Sequence, residues 1–249
     1  SLLGIPGGWL SGSILCVAAA ALAGRPMHVP LRLNRVIFVL IGTSLGAVVT
    51  PETLRGVATY PLSIVILLVA MGTVSWTGAW YLRRLHGWDR VSASLGAAPG
   101  ALSQCVAVAT ELDADVRGIV IVQTLRVAII AVGLPAALAV LGLVTPSTRG
   151  VGGAFDPSKL GELMLLIAIC AVAAWLAYRV RFPGGILFGA MLASAALHGS
   201  GLIHAAMPWW AANAAMIALG GISGSRFADL PLNLLLRYLG AGLGSFAVS

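Results

Sequence analysis

The chain has 249 residues, of which 59% are hydrophobic and 9% are charged, with a formal net charge of +7. Ordinary soluble domains carry roughly 25% charged residues, so there is too little charge to cover a water-facing surface, and a soluble enzyme or nucleic-acid-binding domain is excluded on that ground. The positive charge comes from fourteen arginines and one lysine, Lys159, set in short gaps between apolar runs, a pattern that orients a chain in a bilayer.

A membrane span needs about 20 apolar residues. In chain order the apolar runs are Trp9 to Ala23, Val36 to Thr50, Pro61 to Leu82, Gly118 to Val144, Leu160 to Tyr178, Gly185 to Leu197, Trp209 to Ser225, and Leu230 onward. The second is short, with 15 residues between Arg35 and Pro51, and the fourth is interrupted by Gly133 and Pro135. The N-terminus, Ser1-Leu2-Leu3-Gly4, has no initiating Met and no basic region, so it is not expected to be a signal peptide, and the first residues are expected to be missing. Cys16, Cys105 and Cys170 are far apart within apolar runs and predict neither a disulfide framework nor a metal site.

Between the third and fourth runs the pattern changes. Residues 91–98 and 100–112 predict two short helices broken at Pro99-Gly100, because proline cannot extend the preceding helix and glycine permits the turn. In the second piece Ser103, Gln104, Ala107, Thr110 and Glu111 share one face. Neither piece can span, so a re-entrant hairpin is expected, with an interfacial helix pair as the alternative.

An internal repeat is also present. Pro6-Gly7-Gly8 is echoed by Pro183-Gly184-Gly185 at an offset of 177 residues, and Ile41-Gly42 followed by Gly46 is echoed by Leu219-Gly220 followed by Gly224 at an offset of 178. The expected copies are 1–178 and 179–249, the second truncated. Surplus positive charge falls in the gaps 25–35, 83–90 and 179–181. Placing these gaps in the cytoplasm puts an odd number of crossings between Pro6 and Pro183, which predicts inverted copies. Glu111, Asp113 and Asp115 would then face the cytoplasm, a misfit that weighs little in this rule.

Gly96-Ala-Ala-Pro99-Gly100-Ala-Leu102-Ser103-Gln104, then Glu111-Leu-Asp113-Ala-Asp115-Val-Arg117 and Val122-Gln123-Thr-Leu-Arg126, resemble the AbrB-type family of bacterial membrane proteins. The duplicated Pro-Gly-Gly openings resemble that family's repeated module. The family has been labelled both ammonia monooxygenase and regulator of gene expression, so the resemblance identifies relatives more sharply than an activity. It implies a multi-pass protein of the bacterial inner membrane.

A metal oxygenase needs clustered ligands at helical spacing, whereas His28, His86, His198 and His204 are scattered. No catalytic residue, metal or cofactor is therefore expected. Short, Gly/Pro-interrupted segments at matching positions of two repeats point instead to a transport site near the midplane. Arg126 lies eight positions into its run, with Gln123 one turn earlier. Such an arginine faces an interior site, pairs with Glu111, or snorkels to the interface. Arg226 and Asp229 are expected to pair with each other, and Arg83-Arg84, Trp88 and Trp209-Trp210 to act as interfacial anchors.

The expected fold is an all-α polytopic transmembrane bundle of two inverted repeats with a broken or re-entrant element. The expected function is secondary transport of a small anionic solute bound by Pro99, Gly100, Ser103, Gln104, Gln123 and Arg126. The expected partners are the lipid bilayer and that solute, without nucleic acid, with a homo-oligomer left open. The alternative is a membrane scaffold or regulatory protein without transport activity. A dry interior around Arg126 favours the scaffold, and a cavity reaching Ser103 and Gln104 favours transport.

Overall fold

The computed structural model describes residues 8–25, 29–59, 61–98, 102–142, 156–228 and 238–245. These residues form helices α1 (Gly8–Leu22), α2 (Leu31–Gly46), α3 (Pro51–Thr59), α4 (Pro61–His86), α5 (Arg90–Ala97), α6 (Leu102–Glu111), α7 (Val116–Val140), α8 (Leu160–Arg179), α9 (Gly185–Gly199) and α10 (Trp209–Ser225), and no strand is among the described elements. Residues 238–245 form a further short helix, α11.

Three helical segments, Leu62–His86, Val116–Leu138 and Pro157–Arg179, are long and apolar enough to cross a membrane. On α4 the consecutive residues Ile64, Val65, Ile66, Leu67, Leu68 and Val69 are all exposed. A helix with apolar side chains exposed all round is stable against lipid and not against water. Its last turn carries Arg83, Arg84 and His86, where cations complement the helix dipole. The chain is thus a helical protein of membrane character.

Two helices differ from their expected bounds for physical reasons. α2 begins at Leu31 rather than Val36, because Arg32 and Arg35 are accommodated in its first turns; the Arg35 guanidinium lies 4.8 Å from the centre of the Tyr178 ring. α7 continues through Pro135, so the proline interrupts the sequence pattern but not the helix. Proline within apolar helices is tolerated when the freed carbonyl finds other partners. α3 escapes the apolar-run reading because half of it is polar.

The helices pack in exchanged pairs: α1 lies against α10, and α2 lies against both α9 and α10. Both main seams are closed by glycine. A Cβ added at Gly42 would meet Leu187, Ala190 and Met191, and one at Gly46 would meet Met191, Ser194 and Ala195. Gly220 stands in the same relation to Leu10 and Ser13, and Gly224 to Ile14, Val17 and Ala18. Leu10, Ser13, Ile14, Val17 and Ala18 lie 177 residues before Leu187, Ala190, Met191, Ser194 and Ala195. The two seams therefore correspond position by position. In each, later glycines meet later partners, so the paired helices run parallel. Small residues let backbones approach this closely where lipid removes the hydrophobic drive for association.

Overpacking such a contact costs about 1–3 kcal/mol. Gly46→Ala and Gly224→Ala should each lower the unfolding midpoint in detergent by that equivalent. Gly12→Ala, whose Cβ would meet nothing within 4 Å, should leave it unchanged. Equal midpoints for all three variants would refute the seam.

Candidate functional site

The centre of the molecule is a helical hairpin. Gly87, in the left-handed region at φ +68, turns the chain out of α4. Asp89 then caps α5, its Oδ2 accepting from the N–H groups of Val91 and Ser92 at 3.0 and 2.9 Å. These bonds, led by those involving Ser92, hold the Asp89 carboxyl below its ordinary range. The Asp115 N–H donates to Ser92 Oγ at 2.9 Å, and Asp115 Oδ1 accepts from Gly118 N–H at 3.0 Å. The starts of α5 and α7 are thereby pinned at one level. Trp88, expected as an interfacial anchor, is half-buried and packs edge-on to Tyr238, with ring centres 5.8 Å apart.

α5 runs beside α7 and ends far short of it. A helix end leaves carbonyls without intrahelical partners, and here α7 supplies them. Gln123 Nε2 donates to Leu95 O at 2.7 Å, Arg126 Nη1 to Ala97 O at 2.7 Å, and Arg126 Nη2 to Ala98 O at 2.7 Å. Both side chains are buried. They lie about 10–15 Å along α7 from Val116, at about 1.5 Å per residue. α6 then returns and ends at Glu111, near the start of α7. α5 and α6 therefore pack against each other and against α7, with the end of α5 clamped, and the expected break at Pro99-Gly100 lies outside the described residues.

The expected site residues divide. Gln123 and Arg126 hold the end of α5, and among the described residues neither Glu111 nor solvent is Arg126's partner. Gln104 points elsewhere and lines a cavity of about 840 Å³. Ser103 sits in the first turn of α6, though its side chain, like Pro99 and Gly100, lies outside the described residues. So does Asp229, the expected partner of Arg226.

The far wall of this cavity is the second Pro-Gly-Gly. Gly184 takes φ +63, and a Cβ at Gly185 would lie 2.8 Å from the Ala177 backbone. Only glycine allows both the turn and the close approach. Phe182 and Phe188 meet edge to face across it at 6.2 Å. Arg179, Arg181 and Arg226 line the same cavity, and no carboxylate is among the described residues that line it. Arg179 stacks over Trp175 at 5.1 Å. Arg226 follows the last turn of α10 and is the cation the sequence pattern assigned to an ion pair. Its place in the cavity depends on α10 packing on α2, which in turn packs on α9, and no local motif encodes that.

Residues 9–249 match the family model described as "Transition state regulatory protein AbrB". The chain belongs to the AbrB family. It is 25% identical over 251 residues to "Uncharacterized protein YhjN" of Bacillus subtilis (strain 168), covering 91% of this chain and 65% of that protein. It is 26% identical over 239 residues to "Putative regulator AbrB" of Escherichia coli (strain K12), covering 94% of this chain and 67% of that protein. The chain thus spans about two thirds of the length of these relatives. No solved structure matches it. In this AbrB-family chain the block of residues 96–126 that carries the resemblance is also the block that builds the clamped hairpin.

Removing the clamp leaves buried carbonyls unpaired, at a cost of about 1–3 kcal/mol for each group. Arg126→Met should therefore destabilise the chain by about 2–4 kcal/mol, and Arg126→Lys, which keeps the charge but loses the planar fork, by less. Thermal unfolding followed by tryptophan fluorescence measures both; equal stability of Arg126→Met and parent would remove the clamp.

The cap gives a separate test. The Asp89 carboxyl is depressed in the folded chain, so its contribution is present above its unfolded value and is lost as pH falls through the folded one. Asn also caps helices well. Asp89→Asn should match the parent near neutral pH and lose less stability than the parent in acid below about pH 4.

Proposed function

We propose that the chain is the membrane-embedded part of a secondary transporter for an organic anion, sited in the bacterial inner membrane. The observation that carries this reading is the cavity between the hairpin and the second Pro-Gly-Gly, which has three arginines and, among the described residues, no carboxylate in its lining. Its size falls within the roughly 300–1,000 Å³ of small-molecule sites. Arginine forks suit carboxylates, and the aromatic rings of Phe38, Phe182 and Phe188 suit an apolar body. An organic acid fits this lining better than a small inorganic ion.

The exchanged glycine seams support an inverted repeat. A pair in which residue i of one copy meets j of the other, and j meets i, is the signature of a two-fold relation. If α1 and α2 cross in opposite senses, their parallel partners α10 and α9 do as well, and the second copy enters from the side opposite the first. The axis then lies in the membrane plane, the arrangement of many secondary transporters. Arg25, Arg32, Arg35, Arg83, Arg84, Arg179 and Arg181 fall on one face in this topology, which the positive-inside rule makes cytoplasmic.

The scaffold reading is supported by Arg126 and Gln123, whose donors to α5 are a structural clamp. The site we assign is therefore Gln104, Arg226 and the second Pro-Gly-Gly, with Arg126 as its support. Uptake into proteoliposomes across a panel of aliphatic and aromatic carboxylates should find a saturable substrate. Arg226→Gln and Gln104→Leu should reduce its uptake at least about tenfold, the equivalent of about 1.4 kcal/mol, while the variants keep the parent's unfolding midpoint. Absence of uptake and of binding across the panel would leave the scaffold.

A further inference from the structure

α2 and α8 both pack on α9, yet they leave a groove of about 350 Å³ between them. Val36, Val39 and Leu40 form one wall, Ile167 and Ala171 the other, and Ile186 of α9 lies beneath. Val39, Ile167 and Ile186 rest on the buried cluster around Leu166, Cys170 and Ala190, so the floor of the groove is part of the packed core. Val36 and Ala171 are exposed, so the groove opens sideways, towards lipid in a chain of membrane character. From Ile167 to Tyr178 it follows α8 for about 16 Å, at about 1.5 Å per residue. A slot of that length and apolar lining is shaped for a hydrocarbon chain.

One end of the groove is charged. Arg35 lies there, its guanidinium 4.8 Å from the centre of the Tyr178 ring and its Nη2 donating to Tyr178 Oη at 3.2 Å. Arg179 stacks over Trp175, which lines the groove one turn before Tyr178 on the same face of α8. A ring beneath a guanidinium fixes its plane and leaves its N–H edge free for a second partner. Arg32, one turn before Arg35, and Arg181, two residues after Arg179, add charge of the same sign. No acid offsets it locally: α2 has no acidic residue, and the only one in α8, Glu162, is in the first turn at the opposite end. A zwitterionic headgroup would bring its own cation to these arginines with nothing to meet it. A phosphodiester with net negative charge is matched by their forks.

We propose that the groove binds one anionic glycerophospholipid, with an acyl chain between α2 and α8 and the phosphate on Arg35 and Arg179. Basic pockets between membrane helices recognise anionic headgroups in this way. Tyr178 and Ile186 also line the cavity of about 840 Å³, so the bound lipid lies against the outer side of that cavity's wall. The site rests on the membrane character of the chain and stands whether or not the cavity carries a solute.

The test uses the purified full chain in detergent without any solute, titrated with phosphatidylglycerol. A ligand that binds only the folded chain raises the unfolding midpoint. Phosphatidylglycerol should raise it and saturate, phosphatidylcholine with the same acyl chains should raise it far less, and glycerol 3-phosphate, which lacks the chains, should not compete. Arg35→Gln combined with Arg179→Gln should need at least about tenfold more phosphatidylglycerol for the same rise. So should Ala171→Phe, which puts a ring into the groove and leaves every arginine in place. Arg83→Gln combined with Arg84→Gln, in the last turn of α4, removes the same charge outside the groove and should leave the titration unchanged. An equal rise with phosphatidylcholine shows unselective solvation, and competition by glycerol 3-phosphate shows a site for soluble anions; either overturns the proposal. It is overturned as well by an equal loss in the α4 pair, by an Ala171→Phe variant that titrates like the parent, or by a dimer of the parent that Ala171→Phe dissociates, which would assign the groove to a second copy. If the Arg35 and Arg179 pair does not fold, Ala171→Phe and the two lipids decide it.

Discussion

A helix that stops inside apolar surroundings must dispose of its last carbonyls, and everything distinctive in this chain follows from how α5 does so. Ala98 is extended, so no further turn of α5 supplies partners. Arg126 and Gln123 reach across from α7 and donate to Leu95, Ala97 and Ala98. A charged side chain within a span is expensive on its own, by roughly 2.5–3.5 kcal/mol on insertion scales. Here its charge meets the negative end of a helix dipole and its planar fork meets two carbonyls 2.7 Å away. The two liabilities cancel each other. With α5 ended at a fixed point, α6 starts at a fixed point, and Gln104 is delivered to the cavity wall.

Elsewhere association rests mainly on close approach, with single hydrogen bonds beside it such as those of Ser194 Oγ to Thr43 O and Ser11 Oγ to Ala131 O, both at 2.7 Å. The seams at Gly42, Gly46, Gly220 and Gly224 bring backbone against backbone, and dispersion contacts over that length replace the hydrophobic term that lipid removes. Close packing also explains why 15-residue helices such as α1 and α9 persist, although each is shorter than a span. Each is covered along one face by a partner rather than left to lipid.

Much of this was legible in the residues themselves. The apolar runs marked the long helices α4, α7 and α8, and residues 91–98 and 100–112 were expected as the two short helices α5 and α6. The partners of Arg126 were not legible. Sequence reasoning looks for an acid to match a base, and so offered Glu111, but a backbone carbonyl has no letter. Arg226 was hidden for the related reason that Asp229 stood three positions away and supplied a ready local pairing. His198 gave no signal either, because the groups near its ring nitrogens, Ser194 O at 2.9 Å and Ala205 O at 3.2 Å, belong to the preceding turn and to a loop. Only the comparison of the two seams, position against position, makes it conspicuous.

That comparison also bears on how the two ends of the molecule could communicate. α9 carries Gly185 at the cavity and His198 in its last turn, about 20 Å apart at about 1.5 Å per residue. Between them it is locked to α2 by Gly42 and Gly46 and to α8 through Gly189, whose Cβ would lie 2.7 Å from Ala173 O. A helix held on two sides by backbone contact does not bend to absorb a change at one end. It moves as a body with its partners or stays in place. Any rearrangement that loosens the segment 200–207 from His198 therefore acts on the unit that also forms the far wall of the cavity. The counterpart helix α1 has the same seam but Ala21 in place of the histidine, so this coupling is confined to one of the two halves. An asymmetry of that kind distinguishes two glycine seams that otherwise correspond position by position.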